Sequence, residues 1–529
     1  MSDIYLNLDI MQNLSSFEKP YNSKETEAKI YELWEKSGYF NPDNLEASKN
    51  REAKSYVILL PPPNVTGSLH LGHALNATIS DILIRYHRLK GFKTAWLPGI
   101  DHAGIATQNV VEKTLAKESV KRFDLGREKF IERVWQWKEK YGNVILEQLK
   151  KIGASCDWSR TRFTLDPSYS ADVSKAFIHY HEKGLIYRGE RVINWCPRCQ
   201  TGLSDLEIEY QEEKTSLWHI KYPLQSGGYI IVATTRPETM LGDAAVAINP
   251  KDKRYKKLIG AAVMLPIQNR EIPVIADSAI DQNFGTGAVK ITPAHDLLDA
   301  EIAERHKLPF YQVIDERGRM TEKATGLCQN LKTLECREKI VAELQRKNLI
   351  EKIEDYTHNA SRCYRCSAAL EPILSKQWFV KMTPLLQSLA LKACQTGKVK
   401  IIPDNFKKPY LNWLKNIKDW CISRQIWWGH QLPVWFCKNS KGEDLTVSAE
   451  KPAICRFCKN CGMEQSSDVL DTWFSSALWP FAGLTEKDIE KFYPSAVLIT
   501  ARDIINLWVG RMIFSGLEFK QKEPFSKTL

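Results

Sequence analysis

The residues from Pro61 to His73 bring together the side chains best suited to chemistry in this sequence: Pro61-Pro62-Pro63-Asn64-Val65-Thr66-Gly67-Ser68-Leu69-His70-Leu71-Gly72-His73. They follow the apolar run Tyr56-Val57-Ile58-Leu59-Leu60 and open a helical pattern, which predicts a strand, a rigid proline turn and a helix start. A helix N-terminus offers unpaired backbone N–H groups and the positive end of its dipole, and His70 and His73 share a face of the first turn. Gly67 and Gly72 let the backbone come close to a ligand. The segment reads as a phosphate-binding corner, the alternative being a surface histidine pair beside a proline turn. It lacks the Gly-Lys-Ser/Thr ending of a Walker loop.

Cysteine is the second chemical signal, with 13 in 529 residues. Cys196-Pro197-Arg198-Cys199 and Cys363-Tyr364-Arg365-Cys366 are two Cys-x-x-Cys knuckles. They can supply four thiolates to one tetrahedral zinc, and ligation with no open position means a structural metal. Two separate reduced pairs are the alternative. A metal clip at the two feet of a long segment closes a large loop and fixes how it leaves its parent domain, so residues 207–355 are expected to form an insertion. Cys437, Cys455, Cys458 and Cys461 make a second cluster, for which zinc is again the expectation. The cysteines are too clustered for a disulfide framework, and metal sites in a reducing compartment account for them better.

Three further strand ends carry polar groups. Thr94-Ala95-Trp96-Leu97-Pro98 runs into Gly99-Ile100-Asp101-His102, and a carboxylate such as Asp101 at the end of a parallel strand is well placed to pair with an α-ammonium. Tyr229-Ile230-Ile231-Val232-Ala233 runs into Thr234-Thr235-Arg236-Pro237-Glu238-Thr239. Ala288-Val289-Lys290-Ile291 runs into Thr292-Pro293-Ala294-His295-Asp296, with Asp299 one helical turn on. Taken alone, the last two sets are ordinary strand-end polar residues.

These residues need elements to hold them, and the chain is long enough for three or more domains with real cores, at 43% apolar and 26% charged content. No stretch approaches the roughly 18 apolar residues of a membrane span, and the polar N-terminus lacks the plan of a signal peptide, so a cytoplasmic protein is expected. A formal charge of +11 favours a polyanionic partner or a solvated basic face. The order strand, helix, insertion, strand and helix predicts an α/β fold with a doubly wound parallel sheet.

Together the motifs resemble the class I aminoacyl-tRNA synthetases. His70-Leu71-Gly72-His73 is similar to their His-x-Gly-His signature. The Pro-Pro-Pro-Asn-Val-Thr-Gly lead, Asp101-His102-Ala103-Gly104-Ile105-Ala106-Thr107-Gln108 and the run from Asp468 to Pro480 resemble the valyl members. The resemblance begins near Phe17 and runs to the last residue. It implies a helical lead-in over 1–50, a Rossmann-like catalytic domain in halves 51–206 and 356–529, and a β-rich editing domain at 207–355. It implies activation of valine by ATP with Mg²⁺ and transfer to the tRNA for valine, by a monomer that does not engage membranes. Asn64, Thr66, Gly67, His70, Gly72 and His73 would shape the ATP site, with His70 and His73 stabilising phosphate charge. Asp101 would bind the ammonium, while Pro61, Pro62 and Trp473 would stand around the valine.

The same resemblance implies that the insertion hydrolyses threonyl-tRNA. Asp296 would hold the misattached amino acid. Arg236 and Lys290 would contact the tRNA end. Thr234, Thr235 and Thr292 would line the pocket, with Glu238 and Asp299 beside it. In the second cysteine cluster Ser440 stands where the family usually has a ligand, so either Cys455 replaces it or that site holds no metal. The family's Lys-Met-Ser-Lys-Ser loop does not occur before Leu529, which implies the N-terminal portion of a longer synthetase, incomplete for synthesis. The alternative is an editing-only aminoacyl-tRNA deacylase with an inactive synthetic domain.

Overall fold

A computed structural model describes residues 20–50, 52–440, 444–459 and 462–529. Strands Ser55–Leu59 and Lys93–Leu97 pair in parallel, with Ile58 opposite Trp96. On the other flank of Ser55–Leu59 come Ser495–Leu498, Phe525–Thr528 and Lys400–Ile401, all parallel, to complete a five-stranded sheet. Alternation sorts its side chains: Val57, Leu59, Ala95 and Leu97 enter one core, and Ile58, Leu60, Trp96 and Val497 the other. A parallel sheet covered on both faces explains why these strands read as continuous apolar runs. The strand order reverses between Ser55–Leu59 and Ser495–Leu498, and such a switch point opens a crevice at the carboxyl ends of the strands. The expected doubly wound sheet is present.

The insertion leaves and returns through one antiparallel ribbon. Ile208–Pro223 pairs with Ile350–Cys363 from Ile208 opposite Cys363 up to Ile220 opposite Ile350. Beyond the ribbon, Tyr229–Thr234 adds a third strand, and Ala245–Ile248, Ala262–Leu265, Arg270–Ala276 and Ala288–Ile291 form a mixed sheet. These elements enclose a core of their own around Ile220, Val232, Met240, Val246 and Ile340. The return strand passes residue 355 and ends at Cys363. Inside this core Cys328 and Cys336 are joined as a disulfide. That corrects the expectation that the cysteines serve only metal sites: this pair lies outside both clusters, where the turn into helix Thr333–Arg346 brings the two Cα atoms to 5.1 Å.

The feet of the ribbon are tied to the sheet domain by a buried ion cluster. Arg424, 1% exposed, donates through Nη2 to Glu207 Oε2 at 2.6 Å and Asp471 Oδ2 at 2.8 Å, and through Nη1 to the carbonyls of Cys421 and Ser423. Glu207 begins the insertion and also accepts from Ser204 N, Ser204 Oγ and Tyr364 OH. Burial works to raise the Glu207 carboxyl, but the Arg424 charge and the Ser204 hydrogen bonds outweigh it and hold the group below its ordinary range. Asp471 accepts from Trp420 Nε1 and caps helix Thr472–Ser476 through Trp473 N. Removing one partner of a buried ion set leaves an uncompensated charge, which costs about 3–5 kcal/mol. Arg424→Met should therefore lower stability by an amount of that order in urea unfolding followed by tryptophan fluorescence. A loss too small to resolve would show that the cluster does not hold the junction.

Candidate functional site

At the switch point the chain leaves Ser55–Leu59 through the prolines and enters helix Leu71–Leu89. His70 is its N-cap: Nδ1 accepts from Gly72 N at 3.1 Å, while His73 Nδ1 accepts from His70 N at 3.3 Å. Both Nδ1 atoms are acceptors, so each neutral ring carries its hydrogen on Nε2. Burial, with the neighbouring His70 charge, lowers His73 to about 4, which keeps its imidazole neutral at physiological pH. The rings lie 3.9 Å apart between centroids. A Cβ on residue 72 would stand 2.9 Å from His70 Cε1, so Gly72 makes room for the capping imidazole itself. Gly67, by contrast, faces open space. The result is a pair of imidazoles at a helix N-terminus whose Nδ1 atoms are taken by the backbone.

Asp101 joins this corner through the backbone. Asp101 N donates to Pro63 O at 2.9 Å and Val65 N to Asp101 O at 3.0 Å, bridging the segment of Asn64 to the end of the neighbouring strand. Asn64 is exposed, and Pro61, Pro62 and Thr66 are half-buried. The Asp101 carboxylate is 5% exposed. It accepts from Ser476 Oγ at 2.6 Å, Ala103 N at 2.8 Å and Thr164 Oγ1 at 3.4 Å, and no lysine or arginine among the described residues pairs with it. Burial raises it above the usual range despite those donors. Ser476 sits on the short helix that carries half-buried Trp473, so Pro62 and Trp473 occupy two elements that both touch Asp101. Asn76 Nδ2, on the same helix, donates to Ile499 O at 2.8 Å, tying the helix to the segment that follows Ser495–Leu498.

The insertion brings its two strand-end groups together. Lys290 Nζ donates to Thr239 Oγ1 at 2.9 Å and to Thr292 Oγ1, and lies 3.4 Å from Asp243 Oδ1. Thr239 in turn donates to Arg236 O, and Thr292 donates to Asp243, which also accepts from Tyr222 OH at 2.6 Å. Lys290 is thus buried and turned inward. Arg236 is tied to Glu238 and Glu371, and Glu238 is held by Arg337, so this carboxylate braces the arginines rather than facing a ligand. Thr234 Oγ1 accepts from Arg236 N at 3.0 Å, and Thr235 is half-buried.

Two more carboxylates border this network, one exposed and one buried. Asp296 is exposed and caps helix Leu297–His306 through Oδ1, receiving Leu298 N and Asp299 N. Asp299 is buried, and its Oδ2 accepts from Thr292 N at 2.8 Å. Burial and the adjacent Asp296 charge raise it to about 7. Asp243 and Arg337 escaped sequence reasoning. Asp243 follows Gly242 with no motif of its own, and only the fold places it beneath Lys290.

Each cysteine knuckle finds its partner. The Sγ atoms of Cys196, Cys199, Cys363 and Cys366 all lie within 4.8 Å of one another at the base of the ribbon, and Cys199 N donates to Cys196 Sγ. Tetrahedral zinc with Zn–S bonds of about 2.3 Å needs sulfurs nearly that close, so the donor set fits. Cys437, Cys455 and Cys458 also converge, with Cys437 Sγ 3.7 Å from Cys458 Sγ; Cys461 lies outside the described residues. Ser440 turns its hydroxyl to Cys437 O, and Cys455, not Ser440, converges with the other two thiols.

Two measurements follow from this geometry. Elemental analysis should find one to two zinc ions per chain, and Cys363→Ser should release one of them. Less than half a zinc in the parent protein would reject the first site. An acid whose pKa is raised on folding contributes stability below its unfolded value of about 4, and this is lost as pH rises through 7. Asp299→Asn, which keeps the acceptor for Thr292 N, should flatten the fall in stability between about pH 4 and pH 7. An unchanged pH profile would remove Asp299 as its source.

Comparison with known proteins places the chain among relatives. The chain is 54% identical over 516 residues to valine–tRNA ligase of Carboxydothermus hydrogenoformans, covering 96% of this chain and 57% of that protein. It is 51% identical over 517 residues to that of Dehalococcoides mccartyi (97% and 58%) and 50% identical over 512 residues to that of Syntrophotalea carbinolica (96% and 56%). The chain therefore spans somewhat over half the length of the curated relatives it matches. The profile of the tRNA synthetases class I (I, L, M and V) matches residues 29–529, and this chain belongs to that family.

Proposed function

We propose that the chain forms the activating and editing core of a valine–tRNA ligase, and one observation carries the reading. Asp101, a buried carboxylate with neutral donors and no cationic partner, stands one backbone bridge away from a helix N-terminus armed with two imidazole N–H donors. An α-amino acid needs the first, and the phosphates of ATP need the second. Asp101 receives the ammonium. Pro62 and Trp473 bound a branched apolar side chain. Pro61, Asn64, Thr66 and Gly67 shape the loop above the nucleotide. His70 and His73 donate Nε2–H to phosphate oxygens as charge builds during attack of the valine carboxylate on the α-phosphorus. Mg²⁺ bound with ATP would neutralise phosphate charge. Cys196, Cys199, Cys363 and Cys366 would hold a zinc ion with no open position, which would brace the ribbon's feet and supply no chemistry to the reaction.

Threonine is nearly isosteric with valine, and valyl enzymes are themselves the known case in which an apolar pocket rejects an added hydroxyl only ~10²-fold. A second polar site supplies the missing discrimination. In the insertion the free oxygen of Asp296 would hold the ammonium and hydroxyl of a threonyl ester. Thr234, Thr235 and Thr292 would line the pocket, while Lys290 and Asp243 orient Thr292, and Arg236 stays braced by Glu238.

The relatives are longer than this chain, so the test uses the full-length protein. In ATP–pyrophosphate exchange, Asp101→Ala should raise the KM for valine about 10- to 100-fold, since hydrogen bonds to charged groups are worth ~1.5–3 kcal/mol. Deacylation of threonyl-tRNA should be unchanged in that variant and abolished in Asp296→Ala. Exchange driven equally well by leucine, or an Asp101→Ala enzyme with the parental KM, would overturn the assignment.

A further inference from the structure

Thr164 follows the short strand Arg162–Phe163, which pairs in parallel with Gly99–Ile100. Its N–H donates to Ile100 O at 3.1 Å, and this last rung brings its side chain up to Asp101. The residue is fully buried, so its hydroxyl must place one hydrogen and two lone pairs without water. His102 N donates to Thr164 Oγ1 at 2.9 Å, His102 Nδ1 lies 2.7 Å from the same oxygen, and Asp101 Oδ1 lies 3.4 Å from it. Burial lowers His102 to about 3, so its ring is neutral and carries a single hydrogen. With that hydrogen on Nδ1, both lone pairs of Thr164 Oγ1 are filled and its own hydrogen goes to Asp101; Nε2 is left as an unfilled acceptor. With the hydrogen on Nε2, Asp101 loses the Thr164 donor and a buried N–H has no partner among the described residues. Buried N–H groups without partners are rarer than unfilled acceptors, which assigns the first arrangement. The hydrogens then run from His102 Nδ1 through Thr164 Oγ1 to Asp101 Oδ1.

The two carboxylate oxygens are thereby made unequal. Oδ1 receives Ala103 N at 2.8 Å and the Thr164 hydroxyl. Oδ2 receives only Ser476 Oγ at 2.6 Å, and that hydroxyl also stands 2.9 Å from Thr472 O with one hydrogen to share between them. Acceptor capacity therefore remains on Oδ2. We infer that Thr164 and His102 are positioning residues that pin Asp101 Oδ1 and keep the carboxylate ionised, so that Oδ2 is the oxygen offered to a primary ammonium. This rests on the reading of Asp101 as the ammonium site. The other titratable groups around the carboxylate are Tyr169 from helix Pro167–Glu182, Arg365 from the second knuckle, and His430, whose ring meets that of His102 edge to face at 5.0 Å. Burial keeps Tyr169 and His430 uncharged, and Arg365 favours the ionised carboxylate. Against them burial raises Asp101, so a donor lost from Oδ1 moves its ionisation further up.

The test is valine-dependent ATP–pyrophosphate exchange by the full-length protein, with KM and kcat followed against pH. Thr164→Val keeps the shape and removes the hydroxyl. It should raise the KM for valine about tenfold, leave kcat close to the parental value, and move the acid limb of the KM profile up by about one pH unit, one unit of pKa being a factor of ten. Thr164→Ser should restore both KM and limb. Because a change at a buried site could disturb the fold, His102 gives a second reading: His102→Phe should move KM and limb in the same direction, and His102→Asn, whose amide N–H replaces Nδ1–H, should restore them. A parental KM in Asp101→Ala would overturn the reading of Asp101 and this inference with it. If Asp101→Ala loses valine while Thr164→Val and His102→Phe keep the parental KM, the inference alone fails. It fails equally if their KM rises with the acid limb unmoved, or if Thr164→Ser falls as far as Thr164→Val, since either result means that these side chains only pack.

Discussion

Arg424 is the interaction on which the rest of the architecture depends. One guanidinium, fully withdrawn from water, holds Glu207 at the root of the insertion and Asp471 at the cap of the helix bearing Trp473 and Ser476. A buried charge tolerates little displacement, since each hydrogen bond it loses leaves a desolvated group behind. The ribbon and the Asp101 crevice, more than a hundred residues apart in sequence, are therefore placed by a single side chain. The cysteine tetrad stands at the same feet of the ribbon, where a zinc ion would add a second tie to the one made by charge.

The two polar sites share a plan. In each, strand ends deliver side chains to one spot, and buried groups beneath them fix hydrogen-bond direction. At the sheet's switch point the helix backbone takes both Nδ1 atoms, leaving Nε2–H outward on His70 and His73. In the insertion, Asp243 takes the Thr292 hydroxyl hydrogen while Lys290 donates to the same oxygen. Both arrangements remove rotational freedom before any ligand arrives, and such preorganisation is the usual source of electrostatic catalysis.

What was legible in the sequence was local. The proline turn, the helix start at His70, the strand that ends at Asp101 and the strand that ends at Thr292 each lie in one contiguous stretch whose periodicity changes at the functional residue. The paired knuckles were legible because their spacing repeats. Illegible were groups whose partner is distant and whose neighbours carry no pattern. Arg424 and Glu207 are 217 residues apart, and Asp243 and Thr292 are 49 apart. Burial also redirected side chains that sequence position alone leaves ambiguous: Lys290 turned inward and Glu238 became a brace. Cys328 and Cys336 escaped because their spacing belongs to no metal motif.

The most direct test of this account is the affinity of a non-hydrolysable valyl-adenylate analogue for Glu207→Gln. The substitution removes a charge at the insertion's root and touches no group of the Asp101 crevice. If Arg424 transmits position from one to the other, binding should weaken at least fivefold while zinc content stays at the parental value. Unchanged affinity would contradict the claim that this buried cluster sets the geometry of the crevice.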